Sequence, residues 1–249
     1  MNQVKYRLAQ LVSSTQRTKP AYQIHRRVLM YHSINQHKQS EKDIYSLSER
    51  DFAQHVELLH ELHKTENSRI VKLDSTDRSG ITITFDEGYR DTLTIAAQTL
   101  ADKKLPFTVF VSSANITSGD SKFLNRQELI ELSNISGATI GSHGHAHTHL
   151  AKMSPQDVTR DLKHSKDWLE QIVQKPVTTL SYPHGSYNND VVRIASEIGF
   201  EFAATSKWGV FEVGTKKLEI PRIDIWSQDS RKVLQQKLLG QWEWIARLV

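Results

Sequence analysis

Four histidines fall within seven residues in the run Gly141-Ser142-His143-Gly144-His145-Ala146-His147-Thr148-His149. Imidazole is a common metal ligand, and histidines at i and i+4 converge on one ion where the chain turns helically. Two pairs have that spacing, His143 with His147 and His145 with His149. An extended segment would instead put all four on one face. The spacing leaves the choice open, with a solvated polar loop as the plain alternative. Upstream, Thr84-Phe85-Asp86-Glu87-Gly88-Tyr89 ends an apolar run on two adjacent carboxylates. Such a pair repels itself unless a cation is near, although acidic residues also favour a helix start. One carboxylate and two imidazoles make a three-ligand set with room for water and substrate. A divalent ion held so acidifies water and polarises a carbonyl. A second carboxylate that binds no metal is then placed to take the water's proton.

Two further segments carry polar residues at the ends of apolar runs. Met30-Tyr31-His32-Ser33 offers an imidazole that could protonate a leaving amine, or that could equally be a lone core histidine. Ser181-Tyr182-Pro183-His184-Gly185 is a tight-turn signal whose backbone N–H groups could face an oxyanion.

The elements that must position these residues follow from the pattern of apolar runs. Val28–Tyr31, Ile81–Phe85, Phe107–Val111, Ala138–Gly141, Thr178–Tyr182, Phe202–Thr205 and Leu218–Ile223 are short, rich in Val, Ile, Thr and Phe, and read as buried strands. Helical spacing occupies Glu49–His63, Asp91–Lys103, Arg126–Ser133, Pro155–Val173, Asn188–Ile198 and Asp229–Val249. In the last of these, Val233, Leu234, Leu238, Trp242, Ile245 and Leu248 form the apolar side. Ser154-Pro155 is a helix start, Ser as cap and Pro in the first turn. Alternation of strand and helix predicts an α/β fold with a parallel sheet. About seven such units favour a closed barrel, whose chemistry sits where strands end. Residues 1–24 read as a polar leader, possible helix stripe Val4, Leu8, Leu11 and Val12, ahead of a barrel over 25–226 and a packed helix over 227–249.

Composition excludes some chemistry. There is no cysteine, so disulfides, thiolate metal sites and a cysteine nucleophile are ruled out. The 32 basic and 28 acidic residues leave a net charge of only +4, dispersed, which predicts no nucleic-acid partner. No stretch approaches the ~20 apolar residues of a membrane span. The N-terminus lacks a signal-peptide core, which predicts a cytoplasmic protein, with an extracytoplasmic location and peripheral membrane contact as lesser readings.

Taken together, the motifs resemble the polysaccharide deacetylase family, also called carbohydrate esterase family 4 or the nodulation-type chitooligosaccharide deacetylase homology domain. The pattern TFDDG is matched by Thr84-Phe85-Asp86-Glu87-Gly88, and S-H-x-x-x-H by Ser142 through His147. Y-P-x-G is matched by Tyr182-Pro183-His184-Gly185. The resemblance runs over roughly residues 25–225. It implies a distorted (β/α)7 barrel in a single domain. It implies His143, His147 and Glu87 as ligands to a divalent metal, zinc first, with nickel or cobalt as alternatives. It implies Asp86 as general base and an N-acetylated glycan as substrate.

The chain departs from the family in three places. Glu87 stands where members have Asp. Ser181 stands where many have an arginine that holds the base, and Arg222 of Ile220-Pro221-Arg222-Ile223 could supply that charge instead. No histidine follows His184. Leu29-Met30-Tyr31-His32 instead resembles biofilm poly-N-acetylglucosamine deacetylases, in which that last motif comes first. This implies His32 as general acid and Met30 beside the acetyl methyl. Tyr182, Pro183, His184 and Tyr89 are the other expected substrate contacts, and Trp208 and Tyr187 could stack on sugar rings. A non-catalytic sugar-binding barrel and a deacetylase of a small amide are the competing functions.

Overall fold

A computed structural model describes Tyr6 and residues 21–35, 43–64 and 69–247. Most of the expected leader, including Val4, Leu8, Leu11 and Val12, lies outside the described residues, as do Leu248 and Val249.

Seven strands close into a barrel: β1 (Arg27–Tyr31), β4 (Ile81–Phe85), β5 (Phe107–Val111), β6 (Ala138–Ser142), β7 (Thr179–Ser181), β8 (Phe202–Trp208) and β9 (Ile220–Asp224). All pairings are parallel, and β9 returns to β1 through Leu29 with Ile223 and Met30 with Asp224. The chain is thus a single-domain α/β protein with a (β/α)7 barrel. Every residue of β1, β4 and β5 is buried. Strands covered on both faces show continuous apolar runs rather than alternation, which is why those runs were readable. At Gly141 on β6 a Cβ would sit 2.6 Å from the Phe110 ring and 2.5 Å from the Thr179 hydroxyl, so only glycine lets Phe110 fill the interior there.

The helices are α1 (Glu49–His63), α2 (Gln98–Asp102), α3 (Ser113–Thr117), α4 (Arg126–Asn134), α5 (Pro155–Val173), α6 (Asn189–Ile198) and α7 (Arg231–Leu238). Ser154 caps α5 by accepting the Asp157 N–H, with Pro155 in the first turn, as the sequence predicts. Asn125 and Glu128 form a reciprocal capping box on α4. The first part of the expected Asp91–Lys103 helix is a π-helical turn, Thr92–Ala97, ahead of α2.

Two features differ from the expectation. A small parallel sheet of β2 (Ser33–Asn35) and β3 (Ser46–Ser48) follows β1. These strands are too short to carry a periodic signal. The expected helix Asp229–Val249 is also interrupted. After α7 the chain turns at Gly240, at φ +81°, and resumes as a 3-10 segment, Glu243–Arg247. The positive φ ends the α-helix, and the turn folds Trp242, fully buried, back onto Tyr6 and Trp226.

Within that aromatic group lies a buried ion pair. Lys237 Nζ donates to Asp229 Oδ2 at 2.5 Å and to the Asp224 carbonyl at 2.7 Å, and it sits 3.8 Å from the Trp226 ring centroid. Asp229 also accepts from the Tyr6 hydroxyl and the Trp226 N–H. Removing one partner of such a pair strands a buried charge. Lys237→Ala should therefore cost about 3–5 kcal/mol in urea unfolding, and Lys237→Ala with Asp229→Ala together should cost less than the sum of the two.

Candidate metal centre and catalytic site

The expected site residues gather at the carboxyl ends of the barrel strands. Asp86 is the first residue past β4, and its N–H donates to the Tyr31 carbonyl at the end of β1. His143 is the first past β6, and its N–H donates to the Val111 carbonyl at the end of β5. Sheet hydrogen bonding thus fixes where each functional backbone leaves the barrel. Arg222 lies within β9, and His32 follows β1 directly.

Glu87, His143 and His147 each present one ligand atom, all within 4.8 Å of one another. Glu87 Oε1 is 2.8 Å from His147 Nε2 and 3.8 Å from His143 Nε2. His143 Nδ1 donates to the Ser181 carbonyl at 2.8 Å, which leaves Nε2 as the lone-pair nitrogen facing Glu87. His147 Nε2 is buried without a hydrogen-bond partner despite its closeness to Glu87. An orphaned imidazole nitrogen, an oriented second imidazole and a carboxylate fit a divalent cation such as zinc. The longer Glu87 side chain reaches this point from a backbone at φ +79°.

The structure brings His143 and His147, and not His145 and His149, to Glu87. His145 packs on His164 with centroids 4.3 Å apart, and its Nδ1 is hydrogen-bonded to Ser113 Oγ at 2.9 Å. His149 is exposed and stacks on His184. Neither ring joins Glu87.

Beside this cluster Asp86 is buried and gripped by Arg222 in a two-point contact, Nη1 to Oδ1 and Nη2 to Oδ2, both at 2.7 Å. Ser181 Oγ donates to Asp86 Oδ2 at 3.1 Å and accepts from Arg222 Nη2 at 2.9 Å. The serine therefore fits between base and guanidinium, and the positive charge comes from β9. Burial opposes ionisation of Asp86, but the Arg222 charge, with smaller help from His143 and His32, holds its carboxyl at about 2. Glu87 is likewise penalised by burial, yet His143 and His147 hold it well below the usual carboxylate range. Burial pulls the His32 imidazole down, against the pull of Asp86 and Glu87. Its Nδ1 is buried without a partner, and its ring packs 4.6 Å from that of Tyr45.

The other expected contacts divide. Tyr89 is half-buried and stacked on Phe123 at 5.2 Å. Met30 is 3% exposed. His184 is exposed, at φ +56°, with its ring 4.3 Å from that of His147. Tyr182 corrects the sequence reading. It is fully buried, its hydroxyl donates to the Leu218 carbonyl, and its ring stacks on Tyr187, so its side chain belongs to the core. Pro183 is buried as well. Trp208 packs on Trp226 in the aromatic group around Lys237. Asp224, missed in the sequence, ends β9 in register with Met30, and burial raises it to about 6. Its signal in the sequence is its place as the polar residue directly after the Leu218–Ile223 apolar run.

The sequence model of the polysaccharide deacetylase family matches residues 74–203, more than half of the chain. The chain belongs to this family. Among relatives of this deacetylase-family chain, YxkH of Bacillus subtilis, whose name places it among polysaccharide deacetylases, is 27% identical over 188 residues. That match takes in 73% of this chain and 64% of YxkH, so the chain spans less than two thirds of that relative's length. Among solved structures, the Streptococcus pyogenes deacetylase PplD, in complex with acetate, superposes with a TM-score of 0.74 at 21% identity, over 86% of this chain and 98% of that one. The polysaccharide deacetylase BC0361 of Bacillus cereus gives 0.75 at 23%, over 86% and 69%. IcaB from Ammonifex degensii gives 0.70 at 19%, over 87% and 97%. At these identities the structural likeness is one of fold.

Because Asp86 is held at about 2, well below its unfolded value, the pair with Arg222 contributes stability that is present above about pH 4. That stability is lost as pH falls through about 2. Arg222→Met should flatten this acid dependence in urea titrations between pH 2 and 5 and lower stability near neutrality.

Proposed function

We propose that this protein is a metal-dependent hydrolase that removes acetyl groups from the N-acetylated amino sugars of a poly- or oligosaccharide. The observation that carries this reading is the meeting of Glu87, His143 and His147 within 4.8 Å, beside an ionised Asp86 clamped by Arg222. Family membership supports the deacetylation of a glycan rather than of another amide.

Glu87, His143 and His147 would hold the ion. Bound there, a divalent metal supplies a Lewis acid for the acetyl carbonyl and a source of acidified water. Asp86 is the general base. It is ionised across the whole neutral range, and with both oxygens on Arg222 it keeps one orientation while it takes the attacking water's proton. Ser181 completes that orientation from β7. At the turn after β7, the Gly185 and Ser186 N–H groups donate to the Tyr182 and Pro183 carbonyls, and the His184 N–H would serve as the donor toward a developing oxyanion. His32, directly after β1, is the general acid. Burial pulls its imidazole down and Asp86 and Glu87 only partly offset this, and it would deliver a proton to the departing amine. The C–N bond breaks, and acetate and a free amino sugar leave. Met30 lies two residues before His32 and would face the acetyl methyl. Tyr89 and His184 would line the approach of the sugar.

Asp86→Asn should lower acetate release from N-acetylglucosamine oligomers by roughly 10²–10⁴-fold while zinc content stays stoichiometric. His143→Ala should lose the zinc itself, read by elemental analysis. His32→Ala should resemble Asp86→Asn in turnover and in retained metal. Wild-type acetate release by Asp86→Asn would refute the base assignment, and a zinc-loaded wild type inert on every N-acetylated glycan offered would favour a sugar-binding barrel without catalysis.

A further inference from the structure

The loop that carries both imidazoles reverses between His143 and His147, and most of the contacts that hold that shape come from outside it. Gly144 lies at φ +69° and His147 at φ +51°, both in the left-handed region. The turn directs two successive backbone N–H groups toward helix α5. There a single carboxylate receives both: Asp161 Oδ1 accepts from the His145 N–H at 2.8 Å, and Oδ2 from the Ala146 N–H at 2.9 Å. Asp161 is only 7% exposed, and among the described residues no Lys or Arg lies within ion-pair distance of it. A buried carboxylate that relies on backbone donors makes strong, charge-assisted hydrogen bonds, because those donors are what offset its desolvation.

One turn further along α5, Ser165 Oγ is hydrogen-bonded to Ser142 Oγ at 2.8 Å, and Ser142 Oγ accepts the Gly144 N–H at 3.1 Å. The far side of the loop is tied to α3, where Ser112 Oγ donates to the His145 carbonyl at 2.7 Å. The packing is close enough that a Cβ on Gly144 would come within 2.9 Å of Asp161 Oδ1. The loop is therefore seated on Asp161 without slack.

We propose that Asp161 is a positioning residue for the metal-binding loop, fixing the backbone between His143 and His147 so that both imidazoles face Glu87. The proposal rests on the metal reading of that cluster. Asp161 is not one of the three clustered residues and acts through the two N–H groups. An asparagine of the same size would accept one of them and set its own NH2 against the other.

The test is zinc affinity of the full chain, measured by competition with a chromophoric chelator, alongside the urea midpoint of the metal-free protein. Asp161→Asn should weaken zinc binding about 10–100-fold, the usual range for groups that orient metal ligands. Asp157→Asn, on the exposed side of the same helix, should bind zinc as the wild type does. Gly144→Ala should weaken binding too, because it pushes the loop off the same carboxylate. The two changes combined should then weaken it less than the product of their separate effects. If Asp161→Asn folds too poorly to titrate, Gly144→Ala carries the same prediction alone. Unchanged zinc affinity in Asp161→Asn or in Gly144→Ala, with only the urea midpoint lowered, would make Asp161 an ordinary fold residue and overturn the proposal. A wild type that takes up no zinc would instead remove the metal reading itself, and this proposal with it.

Discussion

The contact on which the site depends is the two-point pair between Arg222 and Asp86. It is buried, and a buried charge survives only when every polar atom around it is satisfied. Arg222 Nε donates to the Thr205 carbonyl on β8, Nη1 also reaches Thr84 Oγ1 on β4, and Nη2 also reaches Ser181 on β7. One guanidinium thus ties β9 to three other strands while holding the base. The strand register bends to permit it. The β8–β9 pairing slips between Ala204 and Trp208, and the Thr205 carbonyl that meets Arg222 lies within that slip. A bulge that re-aims one polar group is a common device at barrel rims.

The pair also explains how the site tolerates so many charges. Asp86 and Glu87 are adjacent carboxylates in a poorly solvated rim, and neither would stay ionised alone. Arg222 neutralises the first, and two imidazoles face the second. Division of labour between the two carboxylates follows from this. Asp86 has both oxygens on a guanidinium, whereas Glu87 meets His143 and His147 through Oε1 and the Asn115 amide through Oε2, with no full positive charge against it, which suits the ligand role proposed for it. The permuted order of motifs fits the same geometry. Closure of the barrel through β1 and β9 puts the end of β1, with His32 beyond it, next to Asp224 and two residues from Arg222, although they stand at opposite ends of the described chain.

Much of this was legible in the residues themselves. Continuous Val, Ile, Thr and Phe runs marked the barrel strands because both faces are covered, and strand–helix alternation then gave the barrel class. The histidine run and the paired carboxylates marked the site because few other roles call for such a density of ligands. What stayed hidden depends on tertiary contact. Spacing could not rank His143 and His147 over His145 and His149, since the difference lies in which rings reach Glu87, His145 going instead to Ser113 and His164 and His149 lying exposed. Tyr182 looked like a substrate residue from its motif, but its hydroxyl is taken by the Leu218 carbonyl across a loop. The turn at Gly240 was masked by an apolar spacing that continues on either side of it.

Backbone strain is distributed as a functional reading requires. Among the described residues, five that are not glycine have positive φ, and three of them are Glu87, His147 and His184. Each such conformation costs about 1–2 kcal/mol for a residue with a side chain, and it persists only where surrounding contacts over-determine it. At Glu87 those contacts include Asn115, which donates to its carbonyl at 3.3 Å. At His184 they include a ring nitrogen 3.1 Å from the His147 carbonyl. Three of the five strained positions therefore gather around the Glu87, His143 and His147 cluster, while Lys104 and Gln174 end helices elsewhere. A relaxed backbone at Glu87 would carry its carboxylate along a different line and away from the two imidazoles. The longer acid in place of the family's aspartate is thus accommodated by the same conformation that makes the site costly to form.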